Sequence, residues 1–108
     1  MLHLENYTTV SADSTDETAT YTPGSNEDLY VLVMSGDAAI SNDVKVEILW
    51  DSSPLFSTHN SNTQTAPAGT YLTKLEGNGS KVLKVKLTNN SSQSETIGGR
   101  IIAEKRYG

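Results

Sequence analysis

Leu83, Val85 and Leu87 alternate with Lys84, Lys86 and Thr88. A period of two is the signature of a strand with one dry face and one wet face. The strand predicted over Lys81 to Asn90 cannot leave its apolar row in water, so a second layer must cover it. Val44, Val46, Ile48 and Trp50 alternate with Lys45, Glu47 and Leu49 in the same way, predicting a second amphipathic strand whose Trp anchors the rim of the core. Leu29 to Ser35 is apolar at successive positions and bounded by turn residues, the pattern of a central strand buried on both faces. At the start of the chain, Leu2, Leu4 and Tyr7 interleave with His3 and Glu5, so residues 2–10 read as an extended arm or a first strand.

The remaining segments are shorter. Residues 11–16 read as a polar acidic loop and Glu17 to Thr22 as a brief strand running into the turn Pro23-Gly24-Ser25-Asn26, where Pro presets φ and Gly accepts a positive one. Residues 36–43 read as a connection with room for one short strand or a helical turn. Pro54 to Thr58 suits an edge strand, since Pro cannot donate to a ladder. Residues 59–69 form the longest polar stretch, predicted as a binding or connecting loop, followed by a strand over Thr70 to Leu75. Thr96 to Arg106 closes the series, with Gly98-Gly99 marking a bulge or a close backbone approach. Seven or eight short strands in 108 residues predict an all-β, antiparallel sandwich of jelly-roll type, a single domain over 11–108 with 1–10 as its arm or first strand.

Composition agrees with that reading. Hydrophobic residues make up 35% and charged residues 19% of the chain, and Ser, Thr and Asn fill the difference, which favours strands and turns over helices. There is no cysteine, which excludes disulfides, thiolate nucleophiles and cysteine-based zinc sites. Charge is uneven. Residues 1–44 hold eight acids and no Lys or Arg, while residues 45–108 hold five acids and eight bases, so −8 and +3 sum to the net −5. Such an asymmetry either keeps acidic loops solvated or draws unlike ends of neighbouring copies together. An acidic first half argues against wrapping a phosphate backbone, so no nucleic-acid partner is expected. Met1 to Asn6 lacks a basic and an apolar region of the kind a secretory signal needs, and no apolar run approaches bilayer length. Synthesis in the cytoplasm and no membrane partner are the expectations.

Candidate chemistry is sparse. His3 and His59 are the two histidines, and neither stands in a Ser-His-Asp spacing or beside a nucleophile elbow. The acidic pairs Asp16-Glu17 and Glu27-Asp28 offer hard oxygen ligands outside any EF-hand pattern. Gly77-Asn78-Gly79-Ser80-Lys81 lacks the spacing of a phosphate-binding loop and runs into a strand, so it reads as a turn. No catalytic residue, cofactor or metal is assigned, and an enzyme is not expected.

Trp50-Asp51 closing a strand, the short Leu55-Phe56-Ser57-Thr58 strand, the Gly77-x-Gly79-x-Lys81 turn, the Leu83-x-Val85-x-Leu87 strand, Asn89-Asn90 and the late Gly98-Gly99 pair resemble small β-sandwich accessory proteins of tailed-bacteriophage virions over residues 44–104. The resemblance implies a structural subunit of the particle, a head decoration protein or another virion accessory, found in the virion and partnered by copies of itself and a major virion protein. A carbohydrate- or receptor-binding module of a tail or fibre is the alternative, since jelly rolls also host lectins. Either reading makes surface residues the working parts. The candidates for partner contact are Leu2, His3, Leu4, Tyr7, Trp50, His59, Asn60, Asn62, Arg106 and Tyr107. Both ends of the chain, Leu2-His3-Leu4 and Lys105-Arg106-Tyr107-Gly108, are expected to be held by neighbouring copies, and removal of residues 2–10 to leave the domain folded.

Overall fold

A computed structural model describes residues 1–38 and 41–108. Among them are nine strands: β1 (Leu2–Val10), β2 (Ser14–Tyr21), β3 (Glu27–Asp37), β4 (Val44–Trp50), β5 (Ser53–Thr58), β6 (Asn62–Thr65), β7 (Thr73–Glu76), β8 (Leu83–Asn89) and β9 (Glu95–Tyr107). They form two antiparallel sheets. One runs β1-β9-β3-β6, with β7 also on β3, and the other runs β2-β8-β4-β5. Apart from the β4–β5 hairpin and the split pair β6 and β7, consecutive strands cross from sheet to sheet, and the last strand lies between the first and third. That is the connectivity of a jelly roll.

The ninth strand has a simple origin. β6 pairs with Val33 to Gly36 and β7 with Asp28 to Val31, in the same direction along β3. The two are halves of one jelly-roll strand, parted by an excursion over residues 66–72. The expected polar loop 59–69 therefore contains a strand, because Asn62–Thr65 ladders onto β3 through backbone groups that need no apolar side chain. The strand expected from Thr70 begins at Thr73 instead. Opposite the excursion, the pairing of β3 with β9 slips by one residue at Leu32, so the bulge lies in β3 and not at Gly98-Gly99.

That slip also corrects the reading of β3 as buried on both faces. Leu29 and Val31 point inward before it and Met34 and Gly36 after it, while Tyr30, Leu32 and Val33 are half-buried on the outer face. An unbroken apolar run here encodes a change of facing at a bulge. β2 starts at Ser14, earlier than expected, because Asp16 holds a bulge between Asp16 and Ala19. Its Oδ1 accepts from Thr18 N at 3.0 Å, Thr18 Oγ1 at 2.7 Å and Asn6 Nδ2 at 3.0 Å. The expectation of a short strand or helical turn within 36–43 falls partly on residues 39 and 40, outside the described residues.

The core lies between the sheets. Leu83, Val85 and Leu87 of β8 are fully buried, as are Val46 and Ile48 of β4 across from Leu29, Val31 and Ile101. Gly36 and Gly99, paired across β3 and β9, thin one sheet where Val46 and Val85 press against it. A Cβ at Gly99 would lie 2.6 Å from Val46 Cγ1. Close backbone approach is what the glycine pair supplies, as its sequence position led us to expect. Both ends of the chain are held within the molecule: Leu2 pairs with Ala103, Glu27 with Tyr107, and Gly108 N donates to Asn26 O at 3.0 Å.

Candidate functional site

Strand register decides which side chains share the outer face of the β1-β9-β3 sheet. Read across β1, β9 and β3, the outward rows are Tyr7, Gly98 and Asp37, then Glu5, Arg100 and Ser35, then His3, Ile102 and Val33. Further along, Tyr30 lies between Glu104 of β9 and Lys74 of β7. Polar, aromatic and apolar groups thus mix on one surface, and two clefts open on it.

The larger cleft, about 460 Å³, is lined by Tyr7, Ser35, Gly36, Asp37, Ser61, Asn62, Thr63 and Arg100. The Tyr7 ring lies over Gly98, whose missing side chain makes room for it. Around the ring, Arg100 Nε donates to Ser35 Oγ at 3.2 Å and Ser61 Oγ donates to Asp37 Oδ1 at 2.7 Å. β6 supplies the wall. An aromatic platform beside a carboxylate, a guanidinium and an amide can stack a ring and hydrogen-bond a polyhydroxyl or peptide group.

The smaller cleft, about 280 Å³, is lined by Tyr30, Leu32, Gly69, Thr70, Tyr71, Glu104 and Arg106. It exists because the 66–72 excursion folds Tyr71 back onto Tyr30, edge to face at 4.9 Å between centroids. Arg106 sits 4.0 Å and Lys74 5.7 Å from the Tyr30 ring centre, so cations already cover Tyr30 and Tyr71 keeps its exposed surface.

The structure brings together two of the candidate contact residues, Tyr7 and Asn62, in the larger cleft, and places Arg106 in the smaller one. His3 is exposed between them on β1. Tyr107 is exposed at the end of β9. Leu2 is corrected to a core residue, being 9% exposed, and Leu4 packs half-buried against the same core, because the β1 ladder turns both inward. Trp50 packs against the core at the end of β4, as expected of a rim anchor. His59 and Asn60 stand apart from both clefts, where His59 Nδ1 hydrogen-bonds Val44 O at 2.8 Å and Asn60 Oδ1 accepts from Thr58 Oγ1 at 2.7 Å.

Sequence reasoning missed Asp37, Arg100, Tyr30 and Tyr71, whose meeting depends on register. It also missed two buried polar anchors. Asn89 is fully buried, and its Nδ2 donates to Val10 O at 2.9 Å, Ser11 O at 3.3 Å and Gln93 O at 2.8 Å, while its Oδ1 accepts from Ser91 N at 2.9 Å. It ties three segments of one end of the sandwich together. At the other end, the buried Glu27 carboxylate accepts from Tyr21 Oη at 2.6 Å and Gly24 N at 3.2 Å, with Lys105 Nζ at 3.8 Å. Burial, and then the hydrogen bond to Glu27, raises the Tyr21 hydroxyl above the usual tyrosine value, and the contact with Tyr21 raises Lys105.

The charge asymmetry is spent partly inside the chain. Lys74–Asp28 at 3.9 Å, Lys84–Glu17 at 3.1 Å and Lys105–Glu27 at 3.8 Å each join an acid of the first 44 residues to a base of the rest. Among the described residues, no group of three His, Cys, Asp or Glu side chains is arranged to hold a metal ion. No protein family matches the chain, and neither does any curated protein or solved structure.

Proposed function

We propose that the chain is a non-enzymatic structural subunit of a phage particle, a head decoration protein or other virion accessory that stabilises the assembly through contacts with copies of itself and with a major virion protein. The observation that carries this reading is the jelly-roll connectivity, a layout that serves viral capsid and lectin domains. A fold alone does not assign a function, so the reading draws also on the resemblance over residues 44–104. The outer face of the β1-β9-β3 sheet supports it with half-buried Leu32, Val33 and Ile102 set among charged and aromatic residues, a mixture suited to a protein interface.

The deciding experiment is quantitative mass spectrometry of purified phage particles from cells that produce the chain. Recovery at a fixed number of copies per particle is the expected result. Its absence from particles while it is abundant in the lysate would overturn the proposal.

The larger cleft favours a second reading, a carbohydrate- or receptor-binding module. Sugar rings stack on exposed aromatic faces, and Tyr7 with Asp37, Asn62 and Arg100 offers the platform and the polar rim. On a glycan array, this reading expects binding that Tyr7→Ala abolishes. A protein that retains no glycan leaves the structural role.

A further inference from the structure

A sandwich has four lateral edges, and three of these carry devices that discourage pairing with another chain. β2 is broken by its bulge and carries Asp16 and Glu17 at that point. β5 has Pro54 and slips by one residue against β4 at Leu55. The β6/β7 edge is cut into two four-residue pieces by the 66–72 excursion. β1 has none of these. Its register with β9 is unbroken from Leu2↔Ala103 to Val10↔Glu95, it holds no Pro or Gly, and Glu5 is its one carboxylate.

We propose that the outer edge of β1 pairs with the same edge of a second copy, antiparallel across a two-fold axis at Asn6, so that two five-stranded sheets become one continuous sheet. The inference rests on the reading of the chain as an assembly part and names the surface through which copies meet. Nine residues give an edge of about 30 Å, and the self-complementarity of its side chains selects the occupant and the register. With the axis at Asn6 all nine residues pair. Leu2 faces Val10 and Leu4 faces Thr8 on the core side; His3 faces Thr9 and Glu5 faces Tyr7 on the outer side, where all four are exposed in the single chain. The outer row sets no like charges directly opposite one another, and the two Glu5 residues are only diagonal neighbours, their backbones about 7–8 Å apart. Moving the axis to Glu5 would set these carboxylates face to face. Moving it to Tyr7 would leave Leu2 and His3 unpaired. An isologous contact of this kind closes at two copies and leaves the protected edges free.

The test is the mass of the full-length protein by light scattering at tens of micromolar, with His3→Lys/Thr9→Lys and His3→Lys/Thr9→Glu beside the wild type. The wild type is expected at twice the monomer mass, the double lysine variant at the monomer mass, and the charge-complementary variant at twice it again. Both sites are exposed, and circular dichroism checks that each variant keeps its strands. Because the chain has no cysteine, His3→Cys/Thr9→Cys supplies an independent readout: oxidation should give a covalent dimer whose digest joins the two strands. A wild type that stays monomeric at millimolar concentration, or a dimer indifferent to the double lysine change, would overturn the proposal. These masses are read on isolated protein, so their failure leaves the virion reading to the particle analysis, and absence from particles leaves the dimer standing.

Discussion

Asn89 shows what a single side chain does here. An amide that is fully buried and satisfied on both its nitrogen and its oxygen stabilises modestly, but its removal strands several backbone groups without water. Asn89→Leu is therefore expected to destabilise the fold by about 2–3 kcal/mol, read as a lower midpoint in urea. The adjacent glycines separate two kinds of crowding. Gly99→Ala forces a methyl against Val46 and Val85 in the closed core and should destabilise by about 1–3 kcal/mol. Gly98→Ala meets first the exposed Tyr7 ring, so it should be milder and register as a changed tyrosine environment in fluorescence. Asp16 supplies a pH dependence. Hydrogen bonds from Thr18, and then from Asn6, hold its carboxyl below the ordinary aspartate value. The stability it contributes is present above that ordinary value, about 3.9, and is lost as the pH falls through the lower folded value. The gap in urea midpoint between wild type and Asp16→Asn should then be open at pH 6 and narrow as the pH falls below about 3.9.

At the level of elements, β1 carries the clearest revision. Residues 2–10 ladder onto β9 from Glu95 to Ala103 and contribute Leu2 and Val10 to the core, so removing them would expose that edge of β9. Deletion of residues 2–10 is expected to abolish cooperative unfolding by circular dichroism, against the initial expectation of a folded remainder. Most other elements were legible in the sequence wherever one face is dry and the other wet. β4 and β8 show this alternation and were placed nearly to the residue. β6 was not legible, because Asn62-Thr63-Gln64-Thr65 is exposed throughout and has no apolar period to read. β3 was found but misread, since a bulge at Leu32 turns alternation into an apolar run. The candidate site was legible only in part. Tyr7 and Asn62 stand among the contact candidates, although the sequence groups Tyr7 with the apolar side of Leu2 and Leu4 and the ladder instead turns it outward with His3 and Glu5; their meeting with Asp37 and Arg100 depends on pairings between strands as much as 93 residues apart, as for Tyr7 and Arg100, which no local pattern records.

For the whole molecule, the interleaving of early and late strands within each sheet explains why a chain with an acidic first half and a basic remainder shows paired charges across its surface. These pairs are mostly solvent-exposed and each worth little. The same interleaving governs the order in which the chain can fold. β9 lies between β1 and β3, so on a ribosome that makes about 5–20 residues per second both strands emerge seconds before the partner that joins them. β4 and β5, linked by a two-residue turn, can close while the chain is still growing; the sheet of β1 and β3 cannot. Such distant pairings belong to the slow class of folders, in milliseconds to seconds. During that interval the unguarded strand β1 waits with both of its edges open, and in a crowded cell the nascent chain is at its most vulnerable to joining the wrong neighbour.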